Sequence, residues 1–441
     1  MLTKKIIAAL LITFASAGMA AALEGDEAPL SELLADARAN SPQIAAARER
    51  TAAEKLKINQ AQAKMGPDLS VGMGALWQRD GISTNIPVPA FGSLSVPIIG
   101  SHAYAAAVGL TQLIYSGGSL GAQKQAAQLA GEAAAAQERR VAQGVDNAVR
   151  RAFYALRSAQ AKELVAKEAL SLSKNHMEQA EKLFKAGVVA KNDLLRSKVA
   201  VASAELDLIR AQNGSALALT ALRRAVGAEL PAGLEENRRL EQILSSELPP
   251  KREGGDIESS VESAVSRREE LKVYSLLSEQ AEKLARAAHG QTLPQVLGMV
   301  GYMAADDKFF PSEQSEPVAA IGVYWNLYDG GEMRAKTNEA KAKARELLYQ
   351  LDDMKNAVRM EVTQAELNLR SAESRLAVAS RQLSEAREDY RIARRRYAEG
   401  VGTNLDTLDA RLALTNSMTE LAAAIYDIKT AEADLAYAMG D

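Results

Sequence analysis

The chain has 441 residues and a formal net charge of −3, so a nucleic-acid-binding role has no electrostatic support. Only 5% of the residues are aromatic, whereas alanine and charged residues are abundant, and this composition favours long helices over several compact domains. The absence of cysteine excludes disulfides, a cysteine-linked lipid anchor and thiolate metal sites.

Residues 1–22 are predicted to be a secretory signal peptide. Lys4 and Lys5 precede an apolar run from Ile6 to Phe14, and small residues follow that run. The run is shorter than the ~20 residues that a membrane-spanning helix requires, which favours secretion over a membrane anchor. Since no later segment is long and apolar enough for a helical span, we expect any membrane-embedded part to be β-structure.

The remainder of the chain contains one unit twice. The motif at 113–118 resembles the motif at 326–331, and the two start 213 positions apart (326 − 113 = 213). The same offset relates Gly187 to Gly400 and continues to the C-terminus. Matches upstream of the motif are 227 positions apart, so 14 extra residues (227 − 213 = 14) are expected in a loop of the first copy.

Both copies are predicted to contain the same elements in the same order. The first repeat, 23–227, has a helix at 30–66, strands at about 68–78 and 105–115, a long helix at 118–185 and a helix at 191–226. The second repeat, 257–441, has a helix at 257–291, strands at about 295–304 and 319–328, a long helix at 331–398 and a helix at 404–438. The segment between them, 228–256, is a linker with room for a short helix.

The long helices are predicted to pack along their length against other helices. From Leu347 to Tyr397, large side chains alternate with alanine at spacings of three and four residues, which is close to a heptad pattern. At about 1.5 Å per residue such a helix spans about 100 Å, more than a compact core needs. A soluble coiled coil is the alternative, and the signal peptide and the strands argue against it.

The predicted strands have the length and alternation of membrane strands. The residues expected to face lipid are Val71, Met73, Trp77, Val108, Leu110, Ile114, Ile321, Val323, Trp325 and Leu327. A soluble hairpin beside the helices is the alternative. Because a closed membrane sheet needs at least about eight strands, four strands per chain require several copies, either a dimer or a trimer.

The order, spacing and duplication of these motifs resemble those of the TolC family of outer-membrane channel proteins. The matching residues lie at 40–44, at the strand-to-helix junctions 114–118 and 327–331, and at 397–400 and 405–410. The resemblance covers nearly all of the mature chain. It implies a mainly α protein with membrane β: a homotrimer with a long antiparallel α-helical barrel in the periplasm, continuous with a 12-stranded transmembrane β-barrel in the outer membrane.

The resemblance also implies partners and a function. The trimer would be a passive exit duct for small molecules or secreted proteins, coupled to an inner-membrane pump through a periplasmic adaptor protein. Outer-membrane lipid would surround the strands, and neither a cofactor nor nucleic acid is expected. The adaptor would dock at the helix turns, formed by Gly187, Val188, Gly400, Val401 and Gly402.

Two acidic residues after the second turn match the constriction of the family. Asp406 and Asp409 match it by position, and a trimer would arrange them as two rings of carboxylates. Such rings attract cations, and their crowding would raise the pKa of the carboxyl groups. The alternative is that these aspartates cap or solvate the helix that starts near 404.

In the family, a set of residues called the latch ties the closed periplasmic tip together, and this chain matches only part of it. Asp193 and Tyr397 match two of its members, but Gly402 occupies the position of the arginine that joins them. Arg196 could supply a different ion pair. So could the run 394–396, which is equally consistent with a solvated helix face.

The sequence predicts neither an enzyme nor a metal site. The three histidines, His102, His176 and His289, are far apart in the pattern, and the glycine pairs lack the lysine and hydroxyl residue of a phosphate-binding loop. A periplasmic scaffold or adaptor is a further alternative, but such proteins usually carry one helical hairpin rather than a duplicated unit with membrane-like strands.

Overall fold

The computed structural model describes residues 24–77, 84–88, 92–96, 102–231, 234, 240–244, 256–306 and 315–441. The predicted signal peptide therefore lies outside the described residues. The chain divides into two compact units. Unit 1 contains residues up to 46 together with 139–268 and 356–441, and unit 2 contains 47–138 and 269–355.

Long helices account for most of the described residues. The helices are α1 (Glu24–Asn40), α2 (Pro42–Ala63), α3 (Ser119–Lys185), α4 (Lys191–Val226), α5 (Leu240–Leu244), α6 (Ile257–Arg267), α7 (Glu269–Gly290), α8 (Glu332–Ala398) and α9 (Asn404–Met439). The ends of α3, α4, α8 and α9 lie within one residue of the predicted ends. None of the helices within the described ranges combines the length and apolar character that crossing a bilayer requires.

The strands form one four-stranded antiparallel sheet and one small ribbon. They are β1 (Asp68–Trp77), β2 (Thr84–Val88), β3 (Gly92–Val96), β4 (His102–Tyr115), β5 (Gln295–Asp306) and β6 (Ser315–Tyr324). The sheet has the order β1-β4-β5-β6, and the ribbon pairs β2 with β3. The two repeats therefore meet where β4 pairs with β5, and the ribbon occupies the longer loop of the first copy.

Glycines in the left-handed region mark the helix boundaries at equivalent positions of the two copies. Their offset is 213 in every case: Gly117, Gly118, Gly187 and Gly227 correspond to Gly330, Gly331, Gly400 and Gly440. This backbone conformation favours glycine because it has no Cβ. The repeat is thus present in the backbone as well as in the sequence.

The first helix of each copy differs from its prediction, because each is two helices with a break between them. In the first copy, Pro42 disfavours helical backbone at the preceding residue, so α1 ends at Asn40. In the second copy the break is at Arg268, whose backbone is extended. The buried guanidinium of Arg268 donates to the carboxylate of Glu361 at 2.6 and 2.7 Å and to the carbonyl of Ala438 at 3.2 Å.

Strand β6 begins and ends four residues before its predicted ends, so Trp325 and Leu327 are not strand residues. The residue opposite Trp325 would be Pro294, which has no N–H to continue the ladder. The indole N–H of Trp325 donates instead to the carbonyl of Thr292 at 3.1 Å. Leu327 lies in the connection to α8 and is 77% exposed.

The apolar core of unit 1 is formed by residues of α1, α3 and α4. Leu33, Phe153, Leu156, Leu222 and Val226 are almost fully buried in one cluster. A second cluster contains a residue of the short linker helix α5 packed against α3 and α9. The linker therefore carries the short helix for which the sequence left room.

Candidate functional site

The strand register places the bulky apolar side chains on one face of the sheet. Val71 is opposite Val108, which in turn is opposite Tyr302, and directly opposed residues in an antiparallel ladder share a face. We call this the apolar sheet face; its large exposed members are Leu69, Val71, Met73, Trp77, Val108, Leu110, Ile114, Val300, Tyr302, Ile321 and Val323. It includes every residue predicted to face lipid except Trp325 and Leu327.

The opposite face of the sheet is built largely from small side chains. We call it the small-residue face; it includes Ser70, Gly72, Gly74, Ala105, Ala107, Gly109, Thr111, Gly301, Ala320 and Gly322, with the larger Leu297, Met299, Met303 and Val318 among them. Gly301 lies opposite Gly109, and a Cβ at Gly301 would come within 2.8 Å of the carbonyl oxygen of Val108. The two faces of the sheet therefore differ in side-chain volume and in apolar character.

Among the described strands, β1 and β6 each have a partner on one side only. Their outer edges carry backbone N–H and C=O groups that a further strand could pair with. The sheet is therefore incomplete as the single chain presents it.

A second candidate site lies in unit 1, where α3, α4, α8 and α9 meet beside the two helix turns. We call it the tip network; it comprises His176, Asp193, Ser197, Tyr397 and Asn404. His176 Nε2 is 2.7 Å from the side-chain oxygen of Asn404, and the Asn404 amide nitrogen donates to the Asp193 carbonyl at 3.1 Å. The Ser197 hydroxyl donates to the same carbonyl at 3.0 Å. One asparagine thus joins α9 to both α3 and α4.

These hydrogen bonds require a proton on Nε2 of His176. The amide nitrogen of Asn404 donates to a carbonyl, so its oxygen faces His176 and the histidine Nε2 must carry a proton. Burial lowers the pKa of His176, the bond to Asn404 opposes this, and the positive charge of Arg411 lowers the pKa further. Nδ1 has no hydrogen-bond partner among the described residues. The neutral imidazole therefore fits this site.

Of the predicted latch residues, Asp193 and Tyr397 lie close together, but Arg196 does not join them. Tyr397 is 2% exposed, and burial followed by the negative charge of Asp193 raises the pKa of its phenol. The phenol oxygen nevertheless makes no hydrogen bond within the described part of the chain. Arg196 is exposed and forms no ion pair with any described carboxylate. In the single chain, Asp193 therefore contributes its backbone carbonyl rather than a side-chain latch.

Gly402 has a steric reason to lack a side chain. Its N–H donates to the carbonyl of Arg396 at 3.0 Å. A Cβ at Gly402 would lie 3.0 Å from the Cβ of Arg396 and 3.0 Å from the backbone nitrogen of Tyr397. The latch arginine of the family therefore does not fit this turn unless the turn shifts.

Asp406, predicted as a gate residue, is part of a capping box at the start of α9. Its carboxylate accepts the N–H of Thr403 at 3.2 Å, and the Thr403 hydroxyl accepts the N–H of Asp406 at 3.1 Å. These bonds to Thr403, assisted by the charge of Arg396, lower the pKa of Asp406. Asp409 is exposed one turn later. In the single chain Asp406 has the predicted capping role, and its pKa shift is opposite to that expected from crowding in a ring.

Sequence reasoning missed His176, Ser197 and Asn404 as a group. A signal was present, because Ser173 and His176 interrupt a helix face that otherwise carries alanine at 169 and 180. Ser173 also accepts a hydrogen bond of 2.6 Å from the guanidinium of Arg411, and burial lowers the pKa of Arg411. Within the described residues, no group of three or more histidine or acidic side chains could hold a metal ion.

Comparison with known proteins identifies the family. The model of the outer membrane efflux protein family matches residues 33–228 and 261–441. Alkaline protease secretion protein AprF of Pseudomonas aeruginosa is 25% identical over 270 residues, which cover 59% of this chain and 54% of AprF. The chain thus aligns with about half the length of that relative.

Two solved outer-membrane proteins share the fold. VceC of Vibrio cholerae has a TM-score of 0.75 at 20% identity, with 94% of this chain and 96% of VceC covered. The CmeC channel of Campylobacter jejuni has a TM-score of 0.77 at 16% identity, with 94% and 86% covered. The predicted resemblance is therefore confirmed, and the chain belongs to the outer membrane efflux protein family, a family of outer-membrane transport channels that are not enzymes.

Proposed function

We propose that three copies of this chain form a passive exit duct through the outer membrane. The observation that carries the proposal is the four-stranded sheet with one exposed apolar face and two open edges. Lipid tolerates no unpaired backbone, so the β1 edge of one copy must pair with the β6 edge of the next. Three copies close a ring of twelve strands, and the small-residue face then lines an open passage, whereas an eight-stranded ring would be filled.

The helices supply the periplasmic part of the duct and its docking end. Val188 and Val401 protrude from the two helix turns with 57% and 66% of their surface exposed. Leu195 and Leu405, in the first turns of the following helices, are 50% and 52% exposed. These apolar side chains suit a periplasmic adaptor protein that couples the duct to an inner-membrane pump. The cargo is a small molecule or a secreted protein, chosen by that pump.

Asp406 and Asp409 are the proposed acidic constriction at this end of the duct. Both side chains are exposed, and the capping bonds that lower the pKa of Asp406 keep its carboxylate ionised at neutral pH. Three copies would surround the passage with two rings of negative charge, which favours cations.

Planar-bilayer recordings of the purified mature protein test both proposals. We expect stable cation-selective channels and a trimer band on semi-native gels. The double variant Asp406→Asn, Asp409→Asn should lose cation selectivity, whereas the control Asp193→Asn, at the equivalent position of the first turn, should retain it. A soluble periplasmic monomer without conductance would overturn the duct, and unchanged selectivity in the double variant would overturn the gate alone.

A further inference from the structure

A basic cavity lies in unit 2 where the strands give way to the helices. Its volume is ≈ 750 Å³, and it is bounded by the first turns of α3, the end of α7 and the first part of α8. Its charged lining residues are Glu282, Arg286, Lys341 and Arg345, and His289 also contributes. The histidine aside, three cations and one carboxylate leave an excess of two positive charges (3 − 1 = 2).

The three cations of this cavity have no carboxylate partner among the described side chains. By contrast, two other lysines of α8 form ion pairs: Lys336 with Glu332 at 2.5 Å and Lys343 with Glu339 at 2.6 Å. Lys341 and Arg345 are four residues apart on one helix face, where like charges repel. An anion between them and Arg286 would relieve that repulsion.

The strands that lead into two walls of the cavity, β4 into α3 and β6 into α8, end in exposed aromatic residues. Tyr115 at the end of β4 and Tyr324 at the end of β6 are 51% and 68% exposed, and Trp325 and Tyr328 follow at 54% and 87%. Exposed tyrosine and tryptophan are typical of the level where hydrocarbon meets headgroups. The cavity lining begins at Gly117, two residues after Tyr115, so the cavity follows directly on this aromatic level.

Two glycines bring the walls of the cavity together. A Cβ at Gly117 would overlap the carbonyl oxygen of Gly290, so only glycine allows the start of α3 to contact the end of α7. The N-terminal end of α3 adds partial positive charge at the same place. The shape and the charge of the cavity therefore favour the same kind of ligand.

We propose that this cavity binds the phosphate headgroup of a phospholipid in the periplasmic leaflet of the outer membrane. Arg286, Lys341 and Arg345 donate to the phosphate oxygens, and the acyl chains lie against the apolar sheet face. Charged donors of this kind form the strongest hydrogen bonds to phosphate. The proposal rests on the proposed function, since it requires the sheet to span the membrane.

Tryptophan fluorescence of the full mature protein in detergent tests the site. Of the two tryptophans in the chain, Trp77 is replaced by phenylalanine, so Trp325 is the sole reporter; its indole donates to the carbonyl of Thr292, two residues after the lining residue Gly290. We expect dibrominated phosphatidylglycerol to quench Trp325 saturably. The triple variant Arg286→Gln, Lys341→Gln, Arg345→Gln should weaken this binding about tenfold or more.

Three controls decide the outcome. The variant Lys283→Gln, Lys336→Gln, Lys343→Gln removes the same charge outside the cavity and should change the affinity by no more than about twofold. Equal weakening in both variants would overturn the proposal. So would equal quenching by dibrominated diacylglycerol, which lacks the phosphate, or displacement of the lipid by millimolar inorganic phosphate.

Bilayer conductance separates this proposal from the duct itself. If the wild-type protein conducts and the cavity variant loses lipid binding while still forming trimers, both proposals stand. If the wild-type protein conducts but shows no saturable quenching, the lipid site fails and the duct remains. If the wild-type protein does not conduct, the duct fails whatever the fluorescence result.

Discussion

The two helix turns share a backbone and differ in chemistry. At the first, the N–H of Val188 donates to the carbonyl of Leu183 at 2.9 Å; at the second, the N–H of Val401 donates to the carbonyl of Arg396 at 3.0 Å. The helix that follows the first turn has Ala190 as its N-cap, with no side-chain cap. The helix that follows the second turn begins instead with a capping box.

This difference shows which parts of a duplicated unit are free to diverge. The glycine at the helix end is needed in both copies because both turns use left-handed backbone. The next residues are not so constrained, and only the second copy carries the side-chain cap, the buried asparagine of the tip network and the proposed gate. The first and last predictions below therefore compare one turn with its equivalent in the other, and the second tests the tip network.

The largest effect is expected from introducing the missing latch arginine. Gly402→Arg places a Cβ against Arg396 and the backbone of Tyr397, so we expect a loss of about 1–3 kcal/mol in the free energy of unfolding. The control is Val189→Arg, since position 189 is equivalent (402 − 213 = 189) and already carries a side chain. Urea denaturation followed by circular dichroism measures both. Equal losses would mean that the second turn is no tighter than the first.

A smaller, pH-dependent effect is expected from His176. Its folded-state pKa is lowered, so the unfolded chain takes up a proton first as the pH falls. Stability should be complete above the ordinary histidine pKa of about 6.5 and should decline as the pH falls towards the lower folded-state value. The groups that face the ring include Arg411, Asn404 and Tyr397, and Asp193 acts on Tyr397.

The control for this effect is His176→Gln, whose amide can still donate to Asn404 but does not titrate. The difference in unfolding free energy between wild type and this variant should change between pH 7 and pH 5. A constant difference across that range would contradict a buried neutral histidine.

The smallest effect on stability is expected from changes to the N-cap residues of α9 and α4. Thr403→Ala should cost about 1 kcal/mol of unfolding free energy because it removes the acceptor for the N–H of Asp406. The reciprocal change Ala190→Thr should create a capping box with Asp193 at the first turn and stabilise the protein by about 0.5–1 kcal/mol. Thermal unfolding of the two variants should shift in opposite directions, and a shift in the same direction would refute the comparison.

Helix boundaries were predictable from sequence wherever a glycine ends a helix. Gly187 and Gly400 locate the ends of α3 and α8 because their backbone requirement is local. Helix interruptions that depend on contacts with distant residues could not be predicted in this way. The interruption at Arg268 depends on a guanidinium bond to Glu361, which lies 93 residues away.

The site was predictable to different degrees for a similar reason. The residues of the apolar sheet face follow from alternation within a strand, which the sequence displays directly. The end of β6 depends on Pro294, which directly precedes the opposing strand β5, so that end could not be read from β6 alone. The tip network requires four helices to meet, and no single helix indicates which side chain His176 will face.

The pairing of β4 with β5 has a consequence for the order of folding. Leu113 and Leu297 are partners in this ladder although 184 residues separate them (297 − 113 = 184). Closing so long a loop is entropically costly, and such contacts form slowly. The centre of the sheet therefore cannot assemble until β5, near the start of the second copy, has been synthesised. Until then the β1–β4 hairpin lacks a partner on both sides, and its open strand edges can pair with other chains.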